Sequence, residues 1–197
     1  MSRIVIDGLI ACGKSSLLEQ LHQNHGLVIR TEPVDDWYPI LTKFYQDPQG
    51  WAFAMNLQVM ATFSRWKHEP LKSTTFYERC PRSCKDVFTA LSVEGGFMHP
   101  LQSDLFNELY PNLAWEPDVL IYLRATPEQC MARLQIRGRE CESSVNLKYQ
   151  QYLYDKYEAM VAGMQQRGTP VIIIDGNQSA LEVYEATLVV LRQSGVI

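Results

Sequence analysis

The sequence predicts a doubly wound α/β domain with a parallel sheet of about five strands, and three observations carry that prediction. A GxxxxGK motif followed by serine, Gly8-Leu9-Ile10-Ala11-Cys12-Gly13-Lys14-Ser15, joins an apolar strand to an amphipathic helix. Two near-continuous apolar runs, DVLIYLR at 118–124 and VIIID at 171–175, have the composition of strands buried on both faces of a parallel sheet. Helical stretches separate the apolar runs, so strands and helices alternate.

In order along the chain, residues 2–6 read as the first strand, and the helix takes up its pattern from Ser16. Gly26 permits a turn into an apolar strand over 27–31, which stops at Glu32-Pro33 because proline cannot continue a ladder. Residues 49–67 read as a helix and 74–78 as a short strand with a polar C-terminal end. Thr126 is placed to cap a helix that has Pro127 in its first turn. Residues 149–164 form an amphipathic pattern that packs on the sheet. No repeat, low-complexity segment or linker interrupts the chain, and one domain is expected over 1–197.

With 197 residues, 46% of them hydrophobic, the chain can bury a sizeable core. A formal charge of -4 disfavours nucleic acid as the main partner, since binders of the phosphate backbone present positive surfaces. A small-molecule substrate is expected instead. The five cysteines form no CxxC pair, and the four histidines do not stand at metal-ligand spacing from them. Reduced thiols, a cytoplasmic location and no membrane association are therefore expected, with neither a leader segment nor a run approaching the ~20 apolar residues of a membrane span.

The motif at 8–15 has a direct chemical reading. Its glycines let backbone N–H groups turn inward around an anion, and the helix that follows adds its partial positive charge. Lys14 is placed to reach the terminal phosphates and Ser15 to ligate Mg2+, with Ser16 beside it at the helix start. A nucleoside triphosphate site follows. In open parallel sheets the ligand lies beyond the carboxyl ends of the strands. Glu32 ends the second strand and Glu78-Arg79 the third. A carboxylate there can act as general base for an incoming hydroxyl or hold Mg2+, although either one could simply cap a neighbouring helix. Arg133, Arg137 and Arg139 bring three charges to one helix end, where they can wrap a phosphoryl group or merely favour the helix dipole. Trp37, Phe44, Met55, Leu57 and Phe88 could line an apolar slot or belong to the core, and Cys12 and Cys80 read as small buried residues.

Four ordered segments resemble the deoxyribonucleoside kinase family. Glu32-Pro33-Val34-Asp35-Asp36-Trp37 is similar to its EPVxxW segment, and Glu78-Arg79-Cys80-Pro81-Arg82-Ser83 to its ERSxxS segment. Residues 117–128 resemble PDxxIYLRxTPE, and Arg133, Arg137 and Arg139 match an RxxxRxR lid, with Cys141 standing where the family often has an acid. The likeness runs from the phosphate loop to at least Tyr149. It implies a P-loop kinase fold with an arginine-rich lid over about 137–145, a homodimer, and phosphorylation of a deoxyribonucleoside 5'-hydroxyl by ATP with Mg2+. By the same resemblance Glu32 is the base, and Arg79 holds that carboxylate and the hydroxyl. Glu78 shares the metal with Ser15, and Tyr45 and Glu142 grip the 3'-hydroxyl. The tyrosine ring under C2' favours deoxyribose, while the Asp175-Gly176-Asn177 turn approaches the adenine of the donor.

The base-reading residues are open between two alignments. One places Gln58 and Arg65 on one helix face, seven residues apart. The other puts Asn56 in the amide position. Gln58 is preferred because it keeps the spacing to Arg65. Cys84 stands where the deoxycytidine and deoxyguanosine enzymes carry an aspartate paired with the arginine equivalent to Arg65. Its small side chain leaves room for a 5-methyl group, so thymidine and other pyrimidine deoxynucleosides are the expected substrates. The alternatives are a thymidylate kinase, which needs extra basic residues for its acceptor phosphate, and a non-catalytic subunit that kept the fold.

Overall fold

A computed structural model describes residues 1–139, 142 and 144–197, so part of the expected lid, with Cys141, lies outside the described residues. Five parallel strands, β1 (Arg3–Gly8), β2 (Val28–Arg30), β3 (Thr75–Glu78), β4 (Val119–Arg124) and β5 (Val171–Asp175), form one sheet in the order β2-β3-β1-β4-β5. The order reverses around β1, which places the loop after β1 at the switch point where such sheets bind ligands. The two apolar runs are β4 and β5, in register from Leu120 opposite Val171 to Arg124 opposite Asp175.

The strand over 27–31 shortens to Val28–Arg30. It is an edge strand paired only with β3, and Val28 is 38% exposed, so burial does not extend it. β1 runs two residues further than expected, through Asp7 and Gly8, because both pair with β4. Asp7 is fully buried, and burial pushes its carboxyl pKa up.

Helix α1 (Lys14–His25) ends on Gly26 in the left-handed region at φ 65°. α2 (Val34–Gln46) and α3 (Pro48–His68) follow, with Asp47 capping the second by accepting from the Gly50 amide. After β3 the chain winds through α4 (Pro81–Ser83), a π-helical segment (Cys84–Thr89) and α5 (Ala90–Glu94). α6 (Pro100–Leu113) leads to β4. α7 (Pro127–Arg137) is capped by Thr126, whose hydroxyl accepts from the Gln129 amide, and ends on Gly138 at φ 62°. α8 (Leu147–Gln166) and α9 (Ala180–Gln193) flank β5. α1 packs against α9 and the strands, α8 against β5, α7 and the π-helical segment, and α3 against α2 and α6. Tyr77, Tyr122, Tyr157, Phe63, Phe76 and Phe106 fill the core. Among the described residues no helix is long and apolar enough to cross a membrane.

Candidate active site

The loop between β1 and α1 is a tight backbone ring. Gly8 (φ 149°) could not carry a side chain, because a Cβ would stand 2.6 Å from the Leu123 carbonyl oxygen. Ala11 accepts the left-handed region at φ 65°, and Gly13 caps α1 at φ 106°. Lys14 is buried, and its Nζ donates to the carbonyls of Leu9 (2.8 Å) and Gly8 (3.3 Å). Both are neutral acceptors that an arriving phosphate can replace. The loop opens into a cleft of about 900 Å³ whose wall includes Ile10 through Ser16. Gly8 and Leu9 do not reach that wall. Leu9 is fully buried in the core, so these two residues serve the loop through their backbone.

Opposite the loop, β2 and β3 deliver Glu32, Glu78 and Arg79 to one spot. The Ser15 hydroxyl donates to Glu78 Oε1 at 2.8 Å, and the Glu32 amide lies 3.4 Å from Glu78 Oε2. A hydroxyl and a carboxylate beside the phosphate loop are hard oxygen donors, suited to Mg2+ that takes its other ligands from phosphate and water. Arg79 Nη1 binds Glu32 Oε2, and Nε donates to the Tyr157 hydroxyl at 3.1 Å. Arg79 itself has φ 61°, a conformation that costs a non-glycine residue ~1–3 kcal/mol and persists where surrounding bonds over-determine it. Burial pushes the Glu32 carboxyl up to about 7, against the pull of Arg79 and with help from Glu78. For a general base at neutral pH that is a suitable position. Burial alone would disfavour the Arg79 charge, yet the surrounding carboxylates hold its pKa above the usual value.

The cleft wall extends beyond these residues. Trp37, Phe44, Tyr45, Cys84 and Phe88 line it, as do Arg133, Arg137, Arg139 and Glu142. Trp37 is buried, with its indole N–H donating to Thr62 at 3.1 Å. Glu142 is buried and pairs with both Arg137 and Arg139. Arg133 Nη1 donates to the carbonyls of Cys12 (3.2 Å) and Gly176 (2.7 Å), and Nη2 to that of Gln178 (2.7 Å), which ties the phosphate loop to the turn after β5.

Three further expected residues, Gln58, Arg65 and Asp175, lie off the cleft wall. Gln58 does not line the cleft, whereas Asn56 does, together with Met55, Val59 and Phe63. The helix turns about 100° per residue, so positions 55, 56, 59 and 63 share the inward stripe and position 58 lies far round from it. Arg65 falls off the same stripe; it is exposed, and Nη2 donates to Thr62. Cys84 therefore faces Asn56 rather than Arg65, with Sγ 3.6 Å from the Asn56 carbonyl oxygen. Asp175 is also absent from the cleft wall: its carboxylate accepts from the amide and side-chain nitrogen of Asn177, beside a separate cavity of about 340 Å³. Gln178, Ala180 and Val183 meet the cleft instead.

Sequence reasoning missed Asp7, Tyr157 and Ser92. Asp7 left one trace, a charge inside the apolar strand IVIDG directly before the phosphate loop. Tyr157 follows the buried stripe of α8 and gives no local sign of its polar contacts.

A family model for deoxynucleoside kinase matches residues 4–191. The chain belongs to the deoxynucleoside kinase family. It is thus a kinase that uses a nucleotide phosphate donor and a small nucleoside substrate. Putative kinase protein 143R of Invertebrate iridescent virus 6 is 32% identical, over 93% of this kinase and 93% of the viral protein. A deoxyadenosine kinase of Dictyostelium discoideum is 30% identical over 90% of this kinase and 73% of its own length. Among solved structures, a deoxyadenosine kinase from M. mycoides with bound dCTP superimposes with a TM-score of 0.87. It covers 97% of this kinase and 99% of its own chain at 20% identity, a likeness of fold.

Proposed function

We propose that this kinase transfers the terminal phosphoryl group of ATP directly to the 5'-hydroxyl of a deoxyribonucleoside. The observation that carries the reading is the Glu32–Arg79 pair, which shares one cleft with the phosphate loop. An acceptor hydroxyl beside Glu32 gives its proton to that carboxylate as its oxygen bonds to the γ-phosphorus and the bond to the bridging oxygen of ADP breaks. Arg79 keeps the carboxylate aimed. Lys14, Arg137 and Arg139 face the charge that develops on the transferring group, as a lid does. Ser15 and Glu78 would hold Mg2+, which supplies charge neutralisation at the phosphates.

For the sugar, Tyr45 and Glu142 stand on the cleft wall where they can take the 3'-hydroxyl. On the base side the described wall includes Asn56 and the small side chain of Cys84. That combination supports thymidine and other pyrimidine deoxynucleosides as substrates. The test is phosphorylation of the four deoxynucleosides and of thymidine monophosphate with ATP and Mg2+. Thymidine turnover above the purine deoxynucleosides is expected; a preference for deoxyadenosine would overturn the base reading, and a preference for the monophosphate would overturn the acceptor reading.

A further inference from the structure

A fully buried carboxylate beneath the acceptor site has a role that the reaction scheme does not use. Asp7 lies at the end of β1, one residue before the phosphate loop, and is 0% exposed. Its Oδ1 accepts from the Gly8 amide at 2.8 Å and from the Tyr157 hydroxyl at 2.8 Å. Among the described residues its Oδ2 has no hydrogen-bond partner. A carboxyl kept dry, with burial pushing its pKa up, among the apolar positions of β1 calls for a function beyond packing.

The contacts of Tyr157 supply one. Because its proton is committed to Asp7, its oxygen can offer only a lone pair on the other side, and that lone pair receives Arg79 Nε at 3.1 Å. Asp7 Oδ1 also stands 3.7 Å from Nε, so the carboxyl oxygen lies directly behind the guanidinium. On the far side Nη1 meets Glu32, and the Phe88 ring lies 5.2 Å from the guanidinium carbon. Arg79 is thus gripped from both ends in a left-handed backbone conformation that its own side chain does not favour. The Tyr157 ring stacks on Tyr122, which fixes where its hydroxyl can be.

We infer that Asp7 and Tyr157 are positioning residues for catalysis: Asp7 sets the direction of the Tyr157 hydroxyl, which in turn holds the Arg79 guanidinium against Glu32. The inference rests on the reading of Glu32 as base.

The experiment measures kcat, the KM for ATP and thermal midpoints for Tyr157→Phe, Asp7→Asn, the double variant and Glu32→Gln. Tyr157→Phe keeps the ring packing and deletes only the relay oxygen. Expected are a fall in kcat of about tenfold or more in each single variant, a KM for ATP within about twofold of the parent, and a double variant no slower than the slower single one. Unchanged kcat in Tyr157→Phe, whatever its thermal midpoint, overturns the inference; so does a double variant whose losses multiply. If Asp7→Asn does not fold, the split between kcat and KM in Tyr157→Phe decides alone. Near-normal turnover in Glu32→Gln would instead remove the base reading, an outcome separable from normal turnover in Tyr157→Phe alone.

Discussion

The Arg79 guanidinium binds the Glu32 carboxylate across the end of the sheet, joining the residue after β3 to the residue two positions after β2. The two side chains are 9% and 11% exposed, so neither charge is screened by bulk water, and the Arg79 charge opposes the burial that disfavours an ionised Glu32. Replacing Glu32 by Gln keeps the shape and removes the proton acceptor. The expected loss in kcat is about 10^2 to 10^4, with ATP still bound; a steady-state assay with an ATP-binding titration checks both.

The pH dependence follows from the same burial. With the Glu32 carboxyl raised to about 7, the group is protonated and inactive as a base below that pH and ionised above it. The kcat/KM for nucleoside should therefore fall about tenfold per unit as pH drops below ~7 and level off above it. An acid limb centred near the ordinary carboxylate value, about 4.3, would contradict this.

Glu142 is held by Arg137 and Arg139 on the cleft wall. A 3'-deoxynucleoside lacks the hydroxyl proposed to bind Tyr45 and Glu142 and should lose most of its kcat/KM. Replacement of Arg137 or Arg139 by Ala should depress kcat more than nucleoside affinity if these arginines act on developing charge. Kinetics with matched substrates and single variants separate the two effects.

Asn56 donates to Ala52 and Ser92 and accepts from Thr89, so its amide plane is set by three neighbours. Asn56→Ala should lower kcat/KM for the nucleoside by about 10- to 100-fold, a loss of about 1–3 kcal/mol. Gln58→Ala, outside the cleft, should stay within about twofold. Competition among deoxynucleosides would show whether base preference changes with the first variant.

Cys84 is 2% exposed, and burial raises its thiol pKa well above the ordinary value. An aspartate there meets the Asn56 oxygens, and Arg65 is too far round its helix to pair with it. Cys84→Asp should therefore destabilise the protein by about 2–4 kcal/mol without gaining deoxycytidine use. Thermal melts and the deoxycytidine to thymidine ratio test this, a rise in that ratio in a stable variant being the opposing result.

Much of the fold is legible locally because local chemistry causes it. The phosphate loop needs its glycines and lysine at fixed spacing, β4 and β5 need unbroken apolar runs, and α7 needs its threonine cap and proline start. Helices α2 and α6 are less visible, since Pro39 and Pro111 stand within them and break the pattern expected of a helix. The apolar run over 27–31 is longer than the edge strand it forms, because pairing on one side only sets that strand's length.

The sequence by itself determined the strand-loop-helix phosphate site, the acidic and basic residues at the ends of β2 and β3, and the arginines at the end of α7. Only the tertiary structure decided which face of α3 turns inward, for a two-residue ambiguity in alignment is a rotation of about 200° around the helix and no local signal distinguishes its two answers. It alone brought Asp7 and Tyr157 together across 150 residues of chain. A contact of that kind is invisible in sequence because it depends on how β1 and α8 pack, whereas a motif such as the phosphate loop is one continuous turn of backbone whose geometry its own residues impose.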